Sequence, residues 1–150
     1  MKGTLHMMAG VPASGKSTIA GYICREEGAI WLSSDKIREE LYGDEAVQGD
    51  GQIVFSLLFE RTKNALKEGK TVVYDATCLY EEVRKDLLSS LKGTYESAYC
   101  HFCDVELETA LERNSKRDRK VPQGVIKRMY KNIQRPSESE GFDMIYIYES

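Results

Sequence analysis

The 150-residue chain has no apolar run longer than five residues, Met144 to Tyr148, far short of the ~20 needed to cross a bilayer. No secretory leader is expected either, because the apolar stretch after Met1 and Lys2 stops at Gly10. Cysteine is scarce. Cys24, Cys78, Cys100 and Cys103 have nothing to place them in an oxidising compartment and are expected as free thiols. Cys100-His101-Phe102-Cys103 has no second CxxC to complete four zinc ligands, and on a strand residues three apart face opposite ways. Buried strand cysteines are therefore expected there, not a metal site. His6 and His101, the only two histidines, also fall in predicted strands and carry no functional argument. No repeat, low-complexity tract or Pro/Ser-rich linker divides residues 1–150, which predicts a single cytoplasmic domain.

Acidic residues are nearly missing from one window. From Arg113 to Arg135 there are nine Lys/Arg and only Asp118 of opposite sign, a charge of +8 in a chain whose net charge is −3. An almost acid-free stretch in an acidic protein reads as a surface for phosphate groups.

Hydrophobic periodicity alternates between strand and helix templates. Leu5–Ala9, Ala29–Ser33, Thr71–Asp75, Ser97–Phe102 and Met144–Tyr148 read as strands. Helices are predicted over Lys16–Glu27, Asp35–Leu41 and Gln52–Lys67. A fourth carries Leu79, Val83, Leu87 and Leu91 on its inner face, and a fifth follows Asp104 as N-cap. The last begins near Pro122 with Val125, Ile126, Met129, Tyr130 and Ile133 inward. This order predicts an α/β fold, a mostly parallel five-stranded sheet between two helical layers. Ligands of such sheets bind at the carboxyl ends of the strands.

Gly10-Val11-Pro12-Ala13-Ser14-Gly15-Lys16-Ser17 matches G-x-x-x-x-G-K-[ST], the P-loop, with a strand before it and an amphipathic helix after it. Its glycines let backbone N–H groups approach a phosphate. Lys16 supplies charge for the β- and γ-phosphates, and the Ser17 hydroxyl is placed to ligate Mg²⁺. Residues 10–17 with Thr18 form the candidate nucleotide-binding set, for ATP or GTP.

Asp35 and Arg38 lie three apart at a helix start and share a face. A hydroxyl acceptor needs a base as it attacks the γ-phosphorus, a role open to Asp35, while Arg38 could hold a phosphate beside that hydroxyl. The bland alternative is that Asp35 caps the helix, as Ser34 also could. Asp75 ends its strand where a carboxylate reaches Mg²⁺ or, alternatively, orients Arg38. Arg113 and Arg117, four apart in a basic lid over about 113–121, could stabilise the transferring phosphate. Trp31 and the tyrosines read as core or strand surface.

The chain as a whole resembles the kinase domain of bacteriophage-type polynucleotide 5′-hydroxyl kinases. The resemblance rests on the P-loop, the Asp35-x-x-Arg38 pair, Asp75, the stretch Arg113-Asn114-Ser115-Lys116-Arg117, and Val121-Pro122 leading to Met129-Tyr130-Lys131. It implies Lys16 and Ser17 on nucleotide and Mg²⁺, Asp35 as general base, and Arg38 on the acceptor's 3′-phosphate, with Arg117 on the transferring phosphate and Arg113 beside it. The family's phosphatase domain has no counterpart before Ser150. The expected activity is transfer from a nucleoside triphosphate to a nucleic acid 5′ end or a nucleotide. Two rivals stay open: a kinase of another hydroxyl (metabolite, antibiotic or aminoacyl-tRNA), and a nucleotide-binding regulatory module without transfer.

Overall fold

Alternation along β1 (Gly3–Ala9) sends Leu5, Met7 and Ala9 to one face of a sheet and Met8 to the other. The computed structural model describes residues 1–45, 47, 49–118 and 120–149; Arg119 of the basic stretch lies outside them. After β1 come α1 (Lys16–Glu27), β2 (Ile30–Ser33), α2 (Ser34–Tyr42), α3 (Gly51–Lys67), β3 (Thr71–Asp75) and α4 (Glu81–Ser90). β4 (Tyr95–Cys103), α5 (Leu107–Ser115), α6 (Gln123–Asn132) and β5 (Met144–Tyr148) complete the order.

The five strands run in the order β2-β3-β1-β4-β5, and every pairing is parallel. The main core joins β1, β3 and β4 to Ile37 of α2, Val54 and Leu58 of α3, and Leu87 and Leu88 of α4. On the opposite face Ala20 and Ile23 of α1 cover Met8 and Val73. Helices thus cover both faces, as the alternating pattern predicts. A smaller cluster joins Ala110 of α5 and Ile126 of α6 to Val11 and Leu79 at the carboxyl end of the sheet. Connections leave β1 toward β2 and β3 toward β4, so the strand order reverses between β1 and β3 and a crevice opens there. Among the described residues no helix is long and apolar enough to cross a membrane.

Three local expectations are corrected. Val83 is exposed, and the buried stripe of α4 is Arg84, Leu87 and Leu88, followed by Leu91. A four-residue repeat drifts away from a 3.6-residue turn, and a fully buried arginine is invisible to an apolar pattern. Arg84 is compensated by Glu140, with Nε–Oε1 2.6 Å and Nη2–Oε2 3.0 Å, and its Nη1 donates to the Cys78 carbonyl. Asp104 does not cap α5, which starts three residues later; its carboxylate binds Arg135 instead. Tyr130 turns outward, and the inner face of α6 centres on Ile126.

The cysteines are free thiols, as expected, and burial pushes those of Cys78 and Cys100 up to about 12. The histidines are not inert filler. The Tyr148 hydroxyl lies 2.8 Å from His101 Nδ1, His101 Nε2 2.8 Å from His6 Nδ1, and His6 Nε2 2.9 Å from Glu27 Oε1. With both rings neutral and protonated at Nε2, each donor in this buried row meets an acceptor. Protonation of His101 disrupts that order, and burial beside His6 holds its pKa down at about 4.

Candidate active site

The loop after β1 turns back through Gly10, whose φ of +149° is costly for other residues. A Cβ there would meet Ser14 Oγ at 2.7 Å and the Cys103 carbonyl at 3.2 Å. Its N–H donates to Thr77 O over 2.9 Å, tying the loop to the segment after β3. α1 then begins behind Gly15 with no side-chain cap and no acid in its first turn, leaving N–H groups and positive dipole toward the crevice. Lys16 Nζ donates to the carbonyls of Gly10 and Val11, each over 2.9 Å. Burial lowers its pKa, opposed chiefly by Asp75 and in part by Asp35, so both carboxylates act on the lysine.

A cleft of about 750 Å³ opens here. Pro12, Ala13, Gly15, Lys16 and Ser17 of the loop and α1 line it together with Asp35 and Arg38 of α2 and Asp75 at the end of β3. Arg113 and Arg117 enter from α5 and the turn after it. Not all of the sequence-predicted loop residues face this space. Val11 packs in the small core, Gly10 and Ser14 lie buried beneath the loop, and Thr18 is exposed outside the cleft lining.

Ser33 takes the capping role that the sequence left between Asp35 and Ser34. Its Oγ accepts from the N–H groups of Asp35 and Lys36 at 3.2 and 3.4 Å, so the cap of α2 is neither Ser34 nor Asp35. The Asp35 carboxylate instead receives Arg38 Nη1 over 3.1 Å. Arg38 Nε is buried without a partner, which leaves donor capacity beside the cleft. Among the described residues no hydrogen bond or ion pair joins Asp75 to Arg38, whose carboxylate partner is Asp35. Pairing of Ser33 with Asp75 between β2 and β3 sets that carboxylate next to the start of α2, and Trp31 Nε1 donates to its Oδ2 over 2.9 Å. Burial raises the Asp75 pKa, opposed by the indole hydrogen bond and by Lys16. Ser17 and Asp75 are hard oxygen donors on one cleft, and this donor set fits Mg²⁺, which keeps much of its shell as water and phosphate oxygen.

The basic segment is shaped by a residue without charge. Asn114 is buried; its Nδ2 donates to Val121 O over 2.7 Å and its Oδ1 accepts from Val121 N–H at 3.0 Å. These two bonds pin the ends of the segment. α5 stops at Ser115, yet Lys116 and Arg117 continue it by one tighter turn, so Arg113 and Arg117 both reach the cleft. Arg113 Nη1 also donates to Ser14 O of the phosphate loop at 3.3 Å. Lys116 faces outward and pairs with Glu112. Phe55 of α3 lines the cleft and Trp31 stands behind Asp75, neither singled out by sequence reading, while Arg128 of α6, read only as one cation of the 113–135 window, lines the cleft too. Arg128 lay three positions after the inward Val125, a detectable offset, whereas only tertiary contact marks Trp31 and Phe55.

Fold and cleft together define a P-loop kinase-type nucleotide-binding domain. The chain belongs to the AAA domain family, whose model matches residues 5–136. It is similar to an L-seryl-tRNA(Sec) kinase of the archaeon Methanococcus maripaludis, 26% identical over 93% of this chain, and spans 56% of that protein's length. Its fold is that of a chain in a Pnkp1/Rnl/Hen1 RNA repair complex, with a TM-score of 0.77 at 20% identity over 87% of this chain and 44% of the other. Kti12 of Chaetomium thermophilum, solved with ADP-AlF3, shares it too, with a TM-score of 0.76 at 14% identity over 97% of this chain and 88% of the other.

Proposed function

We propose that the chain is an ATP- and Mg²⁺-dependent phosphotransferase whose acceptor is a hydroxyl, the 5′-hydroxyl of a polynucleotide or nucleotide. The observation that carries this reading is that Lys16 and Asp35 line one cleft. In the proposed reaction the acceptor oxygen attacks the γ-phosphorus in line as the bond to the β–γ bridging oxygen breaks. The hydroxyl proton passes to the Asp35 carboxylate, and ADP leaves. Lys16 and the loop N–H groups hold the phosphates, while Arg113 and Arg117 offset charge on the γ-oxygens. Mg²⁺, when bound, neutralises the β- and γ-oxygens, and Ser17 and Asp75 would hold it.

A carboxylate base suits a neutral hydroxyl better than an anionic phosphate acceptor, which it would repel. Arg38 adds donors for a phosphate next to that hydroxyl, and the cations of 113–135 suit a phosphodiester chain. A second reading, transfer to the hydroxyl of an aminoacyl-tRNA, is favoured by the likeness to the seryl-tRNA kinase along 93% of the chain.

Labelled ATP offered to a 5′-hydroxyl oligonucleotide, a nucleoside 3′-phosphate, seryl-tRNA and a panel of small alcohols tests both. Label on the oligonucleotide or nucleotide supports the first reading. Label only on seryl-tRNA moves the assignment to the second, and label only on small alcohols rejects both. ATP binding without transfer to any acceptor rejects the kinase reading itself.

A further inference from the structure

Beside the phosphate cleft, on the other side of Phe55, lies a second cavity of about 530 Å³ between α3 and α4. Phe55 and Phe59 form one wall and Tyr80 and Val83 the other. The two spaces adjoin, because Phe55, Ala76 and Thr77 line both. Phe55 and Tyr80 are each 41% exposed and Val83 49%, so three large apolar side chains face solvent around one opening. Clustered apolar exposure of this kind marks a surface that is covered in use.

Position assigns the cavity to the acceptor rather than to the nucleotide donor. The phosphate loop runs into α1, which covers one face of the sheet. α3 and α4 pack on the opposite face together with α2, which carries Asp35. Arg38 links the two spaces. Its guanidinium lies 5.7 Å from the centre of the Phe55 ring, and its Nη1 bonds Asp35 over 3.1 Å. A hydroxyl held at Asp35 therefore has an aromatic wall next to it.

Resting on the phosphotransferase reading above, we infer that this chamber seats the base of the acceptor's terminal nucleoside, stacked against Phe55 and Tyr80. Aromatic walls accept the π-face of any base. Apart from the Tyr74 and Tyr80 hydroxyls and the Cys78 thiol, the polar side chains lining the chamber are Thr77, Asp86 and Ser90, a small share of a lining dominated by Phe55, Phe59, Leu79, Val83 and Leu87. The chamber thus contributes affinity for an end that carries a base and little discrimination among bases.

The test is steady-state transfer from ATP to 5′-hydroxyl oligonucleotides that differ only in the first nucleoside: each natural base, or an abasic residue. Removing the base should raise the acceptor KM about tenfold or more and leave the KM for ATP unchanged. The four natural ends should differ far less among themselves. Phe55→Ala removes the stacking wall, and Val83→Trp fills the chamber; both positions are exposed, so the fold is retained. Each variant should bring the KM of a natural end toward that of the abasic end. Equal KM values for natural and abasic ends, a strong preference for one base, or a Val83→Trp protein that behaves as wild type overturns the chamber assignment while transfer stands. No transfer to any 5′-hydroxyl end despite ATP binding overturns the parent reading, and this inference with it.

Discussion

The indole N–H of Trp31 donates to Asp75 Oδ2 across 2.9 Å, coupling β2 to the last residue of β3 in the wall of the cleft. Lys36 covers the indole, its Nζ 4.0 Å from the ring centre. A carboxylate raised in pKa by burial is thereby oriented and its ionised form favoured.

Trp31→Phe leaves a smaller aromatic ring in place and deletes the donor. If Asp75 serves Mg²⁺, the Mg²⁺ concentration for half-maximal transfer should rise about tenfold or more, the usual effect of losing an outer partner of a metal ligand. The Mg²⁺ dependence of nucleotide binding, followed by calorimetry, should shift the same way. An unchanged Mg²⁺ titration in both assays removes Trp31 from this role.

Asp35→Asn retains the size of the side chain but not a base. ATP affinity should stay near wild type, because the phosphate loop is untouched, while transfer falls by a factor of roughly 10² or more. Equilibrium binding beside single-turnover transfer separates the two effects. Near-normal turnover would assign the base elsewhere.

Arg84 and Glu140 form a fully buried ion pair, with Ser137 N–H donating to the same carboxylate. Glu140→Gln leaves the guanidinium without its counter-charge and should cost about 3–5 kcal/mol, read by denaturant unfolding. Replacing both residues by apolar side chains of similar volume should recover most of that loss. Because Arg84 also holds the Cys78 carbonyl after β3, the single variant should lower activity along with stability.

His101 sets an acid limit on stability. Its pKa is about 4 in the fold against 6.5 in the unfolded chain, so the unfolded state binds the proton first as pH falls. The stabilisation from keeping the ring neutral is complete above pH 6.5 and lost progressively down to about 4, at up to ~1.4 kcal/mol per pH unit. His101→Gln should flatten the unfolding free energy across that window relative to wild type. Parallel curves for the two proteins would show that another group carries the acid loss.

What could be read from the residues alone was whatever depends on near neighbours in the chain. The β/α alternation, the boundaries of α1, β3 and β5, and the phosphate loop were legible because backbone conformation there follows from local spacing and from Gly10 and Gly15. The pairing of Asp35 with Arg38 was legible for the same reason, since helical pitch sets residues three apart side by side. The cap of α2 was within local reach but lay one residue earlier than expected, at Ser33. The partners of Asp75, Arg84 and His101 stand 44, 56 and 95 positions away in sequence, and no local pattern reports such distances. Burial of a charged or polar group is tolerated only when chain closure delivers a matching partner, so those sites, the Asn114–Val121 clasp and the chamber beside Phe55 were decided by the tertiary fold.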